Sequence, residues 1–428
     1  MVKILVVAVL TTGCSLSGTK NHCETQADCL DGFTCSALGE CEQGSGSGSG
    51  ANCTPLTCGT HCGDLDDHCG GTLACGACPD HCTNNAQDPS ETDLDCGGDC
   101  GPCASGEHCA QTSDCQTGTC DAGTCRAGTW STIAPMPTAR DRLAAVAGAD
   151  GLIYAIGGFS SGGASSAVEV YDPGTDSWST AAPMPTPRFE LAAVLGTDGR
   201  IYAIGGDYAD ITEPGHSIIA EAYNPATNSW QSLPSLPVGR DELAVAADST
   251  GMIYAIGGYD GTTAQTLGSV ATWKVGDTGW ATLPDAMTTA RSMHGAATLP
   301  DGKIYAVGGE HGLATGEIDA FEYYQPGASG WHTLAPMPTP RKSLAVAALS
   351  SSLYALGGSR YNTTGMRFTS VVEVYDTTAH TWSQVTSIPT GRYDHAAVAL
   401  GGKIYVLGGE LEQTNARTAS VAVFTPDP

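Results

Sequence analysis

Six Gly-Gly pairs, at 157/158, 205/206, 257/258, 308/309, 357/358 and 408/409, recur at intervals of 48 to 52 residues in this 428-residue chain. An interval of that length means one supersecondary unit copied many times, each copy burying its apolar faces against its neighbours. Each pair closes an apolar run such as Leu152-Ile153-Tyr154-Ala155-Ile156 or Lys403-Ile404-Tyr405-Val406-Leu407. An aromatic residue follows each pair, and in five units a Trp stands seven residues further on: Tyr171/Trp178, Tyr223/Trp230, Trp273/Trp280, Tyr324/Trp331 and Tyr375/Trp382. Within the first unit, β-rich runs near 143–148, 152–157, 167–171 and 177–180 are separated by turn residues. A four-stranded twisted sheet of this kind cannot bury both faces alone. Radial stacking covers the faces and leaves only short edges. The glycines remove side chains where backbones approach closely, and the Tyr and Trp residues supply area for packing between units.

This pattern resembles the kelch repeat. The resemblance spans about 300 residues and implies an all-β, six-bladed kelch-type β-propeller over 128–428. The last unit is incomplete: Phe424 takes the aromatic position, but the sequence reaches Pro428 before its Trp is due. Trp130 stands without a Gly pair before it, yet lies ten residues ahead of Arg140, as Trp178 does of Arg188, Trp230 of Arg240, Trp331 of Arg341 and Trp382 of Arg392. The expectation is that Trp130 belongs to the outer strand of the sixth blade and that the ring closes through Trp130 and Phe424.

All 19 cysteines lie between Cys14 and Cys125, which sets a boundary near residue 127. Cysteines this dense, with little apolar material for a core, point to a disulfide framework and an oxidising compartment. The propeller is therefore expected to follow a small disulfide-rich stalk of three modules, 23–43, 53–81 and 82–127, with a Gly/Ser linker at 44–52 whose reach is roughly 15 Å. The modules hold four, six and eight cysteines, so each can close its own bridges, with connectivity left open. Asp67-His68-Cys69-Gly70-Gly71 and Asp93-Leu94-Asp95-Cys96-Gly97-Gly98 resemble cysteine-rich modules of exported Gram-negative bacterial proteins, which implies an extracytoplasmic spacer. Cys75/Cys78 and Cys100/Cys103 stand near zinc-ribbon spacing, and Asp88, Asp93, Asp95 and Asp99 could ligate calcium. The oxidising context and the lack of EF-hand order favour disulfides and solvated acids, so no metal and no cofactor is assigned.

Residues 1–13 read as a signal peptide: Lys3, a run of seven apolar residues from Ile4 to Leu10, then small residues. The run is too short to span a bilayer. Leu10-Thr11-Thr12-Gly13-Cys14 resembles the lipobox of bacterial lipoproteins, although the leucine lies four positions before the cysteine instead of three. The resemblance implies lipidation at Cys14, a tether over 14–22 and an outer-membrane or cell-surface location. Removing Cys14 leaves an even number of cysteines, which agrees. The formal net charge of −27 disfavours nucleic acid and anionic membrane surfaces as partners.

Functional residues are expected on loops displayed by the propeller. The kelch resemblance implies that loops entering the inner strands and loops after the Gly pairs share one face. The entering loops carry Arg140, Arg188, Arg240, Arg291, Arg341 and Arg392. An arginine repeated in every unit is expected to bind loop carbonyls or carboxylates, with a ligand-facing role for one or two held open. Positions that vary between units are the sharper candidates: Arg142, Glu190, Glu242, His294 and His395 after the arginines, and Tyr208, Tyr259, Glu310, Arg360 and Tyr361 after the Gly pairs. Phe189, Lys342, Tyr393, Asp394, Phe159, Asp207, Asp260, His311 and Glu410 vary beside them. Interleaved aromatic and charged residues on one rim suit a protein or glycan ligand.

No catalytic residue is assigned. There is no His-Glu-x-x-His, no Gly-x-Ser-x-Gly elbow and no nucleotide loop after a strand. Galactose-oxidase-like kelch enzymes need a propeller cysteine, and none follows Cys125. Sialic-acid epimerases of the kelch type leave an alternative, with Glu190, Glu242 or Glu310 beside a rim arginine. The leading expectation is an anchored binding protein. A carbohydrate-active enzyme and a structural envelope protein are the competing classes.

Overall fold

The computed structural model describes residues 124–427 apart from 209–216, 313–315, 363–364, 413 and 415, together with 33–35, 41–43, 64–66, 72–74, 108 and 119–121. Cys14, the Gly/Ser linker and most of the three cysteine modules lie outside the described residues. The chain divides into two compact units, Met1–Cys103 and Ala104–Pro428, so the division falls inside the stretch 82–127. Within the first unit, Phe33–Cys35 pairs with Cys41–Gln43 and Asp64–Asp66 with Thr72–Ala74, both antiparallel. In the second, Thr119–Asp121 pairs with Thr124–Arg126, and Cys125 is buried and disulfide-bonded.

The second unit is all-β. Six four-stranded antiparallel sheets account for the repeats among the described residues. The first sheet runs Ala144–Ala147, Ile153–Ile156, Val168–Asp172 and Ser177–Thr180, close to the positions expected for its β-rich runs. The innermost strands, Ala144–Ala147, Ala192–Leu195, Ala244–Ala247, Gly295–Thr298, Ala345–Leu349 and Ala396–Leu400, pack each against the next. The last of them packs against the first, so the sheets form a closed propeller. They are numbered one to six below in the order of these strands. Small residues recur in the inner strands because six backbones converge there.

The core lies between the sheets, not within them. Six apolar clusters are each built from two neighbouring sheets, the one joining the ends combining Met136, Leu143, Ile153 and Tyr171 with Tyr405, Leu407, Val421 and Val423. The last four residues of the second strand of each sheet, as in Ile201–Ile204, are buried because both faces meet a neighbour.

The sixth sheet takes its fourth strand from the other end of the unit. Thr129–Thr132 pairs with Val421–Thr425, with Trp130 opposite Phe424. Trp130 Nε1 donates to Thr386 O at 2.8 Å, tying this strand to the fifth sheet as well. Both residues of each Gly pair have positive φ, 63° and 93° at Gly157 and Gly158. A Cβ on Gly157 would stand 2.7 Å from Arg188 O, so space and conformation both require glycine there.

Candidate functional site

The six repeated arginines are buried in the sheets. In five sheets the guanidinium binds the carbonyl of the first glycine of its own Gly pair, as Arg140 Nη1 does with Gly157 O at 2.6 Å and Arg188 Nη1 with Gly205 O at 2.9 Å. Arg341 uses Ala355 O at 2.9 Å instead. Four arginines also pair with a buried glutamate: Arg140 with Glu169 at 2.7 Å, Arg188 with Glu221 at 2.8 Å, Arg341 with Glu373 at 2.7 Å, and Arg291 with Glu322. In sheets three and six an alanine, Ala271 or Ala422, takes the place of that glutamate, and Arg240 and Arg392 reach Ser269 Oγ and Ser420 Oγ at 3.3 Å. The backbone carbonyl of each arginine accepts a bond from the second glycine of the preceding sheet, for example Gly158 N to Arg188 O at 2.8 Å, and Gly409 N to Arg140 O at 2.9 Å across the closure. The arginines therefore lock loops to sheets and sheets to one another.

Two residues after each arginine the chain turns into the left-handed region. Arg142, Glu190, Glu242, Met293, Ser343 and Asp394 have φ between 52° and 55°. That conformation costs a non-glycine residue on the order of 1 kcal/mol or more. A closed cycle of backbone bonds holds it. Glu190 N donates to Arg142 O (2.9 Å), Glu242 N to Glu190 O (3.1 Å), Met293 N to Glu242 O (2.9 Å), Ser343 N to Met293 O (2.9 Å), Asp394 N to Ser343 O (3.2 Å) and Arg142 N to Asp394 O (2.6 Å).

These six residues and the six that follow them, Leu143, Leu191, Leu243, His294, Leu344 and His395, line an axial cavity of about 120 Å³. Its polar lining is dominated by Glu190, Glu242 and Asp394 against one cation, Arg142. Arg142 Nε lies 3.2 Å from Asp394 Oδ2 and 3.4 Å from Glu190 Oε1. Burial works against its charge, but the Glu190 and Asp394 carboxylates more than offset this and raise its pKa. Burial, reinforced by Glu242, pushes the Glu190 carboxyl well above the usual carboxylate range. Burial and the neighbouring Asp241 push Glu242 up to about 8. Burial also raises Asp394, with Arg142 opposing. The two histidines move the other way: burial, helped by Arg291, drops His294 well below its ordinary value, and burial with Arg392 takes His395 down to about 3. Both rings are therefore neutral at physiological pH.

A model of the Kelch motif matches residues 142–185 and 189–237, and a model of the KLHDC2/KLHL20/DRC7 Kelch-repeats domain matches 216–409. The chain is a kelch-repeat protein. Its relatives include Kelch-like protein 35 of Mus musculus, 31% identical over 49% of this chain and 33% of that one. Kelch-like protein terF of Aspergillus terreus is 31% identical over 48% of this chain and 46% of its own. Kelch-like protein 33 of Homo sapiens is 31% identical over 30% and 24% respectively. This chain thus spans between a quarter and a half of the length of these relatives. Among solved structures, that of YjhT superimposes with a TM-score of 0.59 at 16% identity, over 68% of this chain and 97% of that one, a likeness of fold.

The kelch scaffold sorts the candidate residues into three places. Arg140, Arg188, Arg240, Arg291, Arg341 and Arg392 lie inside the sheets. Arg142, Glu190, Glu242, His294 and His395 come together in the axial cavity. Tyr208, Tyr259, Glu310, Arg360 and Tyr361 lie on the surrounding rim, in the segments after the Gly pairs. Tyr208 is 42% and Tyr361 60% exposed, while Glu310 is buried and ion-paired to Lys342. The Lys342 ammonium also sits 5.6 Å from the Tyr361 ring centroid. The rim and the inner loops are joined in register: Asp141 bridges Phe159, Phe189 bridges Asp207, Asp241 bridges Tyr259, Ser292 bridges Glu310, and Lys342 bridges Ser359.

Met293 and Ser343 also line the cavity and do not stand out in the sequence, and Asp394 stands there only among the lesser variable positions. The signal for all three is a constant offset: every cavity residue of this set stands two after a repeated arginine. A search of the loops for variable charged and aromatic residues, without that offset, leaves out a methionine and a serine and gives Asp394 no special weight.

Proposed function

We propose that this kelch-repeat protein is a binding protein whose six-bladed propeller presents its loop face to a protein or glycan, held at the cell surface by a lipid on Cys14 and spaced outward by disulfide-rich modules. The observation that carries this reading is the distribution of exposed apolar surface. Of the five large apolar side chains exposed among the described residues, four (Tyr208, Ile218, Tyr361 and Met366) lie in the segments following the Gly pairs of sheets two and five. Those two sheets stand three apart in a ring of six, so the apolar positions flank the acidic cavity from opposite sides. Exposed aromatic and methionine side chains beside a polar centre are the composition of a recognition surface.

The test is capture of binding partners from extracellular extract and on glycan arrays by the full chain. Tyr361→Ala and Tyr208→Ala are expected to weaken capture at least tenfold, while Val275→Ala, exposed but in another segment, leaves it unchanged. Equal loss with Val275→Ala would move the binding surface elsewhere. The anchor has its own test. The mature N-terminus should carry the mass of a diacylglyceryl cysteine, and a free Cys14 thiol would end that part of the reading.

A carbohydrate-active enzyme is the second reading. It is favoured by Glu242, a half-buried carboxyl pushed up to about 8 beside Glu190, as suits a general acid at neutral pH. The cavity weighs against it, because 120 Å³ is well below the roughly 300 Å³ at which sites for small organic ligands begin. Turnover of sialic acids or neutral sugars that disappears in Glu242→Gln would establish this reading over the first.

A further inference from the structure

We infer that the propeller opens first along the seam between sheets three and four, away from the joint of its two ends, and that this seam is a side gate to the axial cavity. Four features of the two sheets converge on it.

The first is a missing clamp. A repeated tryptophan donates its indole N–H to the carbonyl four residues after the preceding tryptophan around the ring, which ties each sheet to the linker before it. Trp178 bonds Ala134 O at 2.8 Å, Trp230 bonds Ala182 O at 2.9 Å, and Trp280 bonds Pro234 O at 2.9 Å. Trp382 bonds Ala335 O at 3.2 Å and Trp130 bonds Thr386 O at 2.8 Å. Trp331 Nε1 has no partner, although Trp331, 7% exposed, is the most buried of the six.

The sequence explains this loss. Trp280 stands eleven residues before Arg291, where the other five spacings are ten. Leu283 N bonds Val270 O and Met287 N bonds Gly268 O, both at 2.9 Å, as Leu233 N bonds Ala220 O and Leu236 N bonds Ile218 O in the linker before. The extra residue is therefore taken up within 284–286, where Trp331 would otherwise find its acceptor.

His294 is the second feature. Its ring packs between the two sheets against Gly257 and Met287, and neither ring nitrogen has a hydrogen-bond partner. Leucine holds this place in sheets one, two, three and five. A polar group buried without a partner carries its full desolvation cost, and opening the seam returns water to both the indole and the imidazole. His395 takes the same place between sheets five and six, but that seam keeps the Trp130 bond, and Ala127 O there accepts from Thr386 N and Thr386 Oγ1, both at 3.1 Å.

The outer strands are the third feature. That of sheet three pairs at two positions and that of sheet four at three, against four or five in the other sheets. The fourth is the core. The cluster between these sheets, built around Tyr254, Met287, Tyr324 and Trp331, holds the fewest apolar side chains of the six among the described residues. Apolar burial is what resists the parting of packed sheets. Thr298 Oγ1 to Ala247 O (2.8 Å), Gly312 N to Thr266 Oγ1 (3.1 Å) and Gly330 N to Asp285 Oδ2 (2.9 Å) also cross this seam. Such bonds exchange for bonds to water at small net cost.

Opening here reaches the cavity. Gly258 N to Arg291 O (3.0 Å) and Met293 N to Glu242 O (2.9 Å) are the backbone bonds that cross the seam near the axis. The second is one link of the cycle of six, and Glu242, Leu243, Met293 and His294 line the cavity on its two sides. A local opening of this kind breaks the cycle at one link and admits solvent from the side while the six sheets stay folded.

The experiment is native-state amide hydrogen exchange of the full chain, read as protection factors at Gly258 and Met293 and at the equivalent glycine and turn residue of each of the other five seams. Protection at Gly258 and Met293 is expected to be lower than at any equivalent position by about tenfold or more. His294→Leu, and separately deletion of Ala286 to restore the ten-residue spacing, are each expected to raise protection at both amides by about tenfold while the other seams stay as they were. Should the deletion fail to fold, His294→Leu alone decides. Lowest protection at Gly409 and Arg142, whose bonds cross from sheet six to sheet one, would put the opening at the joint of the ends and overturn the inference. Equal protection at all six seams would mean that the ring opens only as a whole, and overturns it too. So does low protection at Gly258 and Met293 that His294→Leu leaves unchanged, because the mismatched groups would then not be its cause.

Discussion

Trp130 and Phe424, 294 positions apart in the sequence, pack ring against ring at a tilt of 46° with centroids 5.2 Å apart and stand opposite each other in the strand pair that closes the propeller. Phe424 is buried in the cluster between the fifth and sixth sheets, against Tyr354 on its other side. The two ends of the domain therefore meet in one piece of core.

Phe424→Ala is expected to destabilise the propeller by about 3–5 kcal/mol, the range for emptying a buried aromatic site. Deleting residues 128–134 should cost more, because it removes a whole strand together with the bond from Trp130 Nε1 to Thr386 O. Chemical denaturation monitored by tryptophan fluorescence would measure both. Unchanged midpoints would refute the closure.

Removing one member of a buried ion pair should be costly where the other charge has no alternative. Glu221→Ala leaves the Arg188 guanidinium in the core with carbonyls as its remaining oxygen partners, and is expected to cost about 3–5 kcal/mol. Ser420→Ala removes a single, longer hydrogen bond from Arg392, and should cost only about 1 kcal/mol. A similar loss for both would mean that the glutamates are not what balances the arginines.

Stability should decline on the acid side through His395. Its folded pKa, about 3, lies below the ordinary histidine value, so the unfolded chain takes up a proton first as pH falls. The contribution is whole above about 6.5 and is lost at up to about 1.4 kcal/mol per pH unit from there toward 3. His395→Leu, matching four of the other sheets, should flatten this limb in urea titrations run between pH 7 and pH 4.

Glu242 acts in the opposite direction. Its folded pKa is raised to about 8, so the folded chain holds a proton that the unfolded chain has released above about 4.3. Stability from this group is whole below about 4.3 and is lost as pH rises to about 8. Glu242→Gln should therefore be the more stable protein at pH 8.5, with the difference shrinking toward pH 5. An equal difference at both would mean that the carboxyl is not buried as described.

Much of the fold is legible in the amino-acid sequence. The repeat, its strands and the pairing of Trp130 with Phe424 follow from spacing, because each unit must bury its faces against a copy of itself. That the arginines lock backbone is also readable, since a residue present in every unit serves what every unit shares. The cavity is half visible. Arg142, Glu190 and Glu242 stand out by charge, but Met293 and Ser343 carry no chemical flag, and in the sequence only their offset of two from a repeated arginine marks the place that the common left-handed turn gives them. Their φ is a property of the closed cycle of amide bonds, which no single unit contains. The three forms of the rim, exposed at Tyr361, half-buried at Tyr259 and ion-paired at Glu310, depend on contacts between sheets and have no local signature.

The cycle of six backbone hydrogen bonds has an electrostatic consequence. Each N–H···O vector leads to the neighbouring member of a closed polygon, so the components that run around the ring cancel, unlike the aligned peptide dipoles at a helix end. Because each of those six side chains projects from a turn fixed by main-chain bonds, the polarity of the cavity can be rewritten residue by residue while the frame stays as it is.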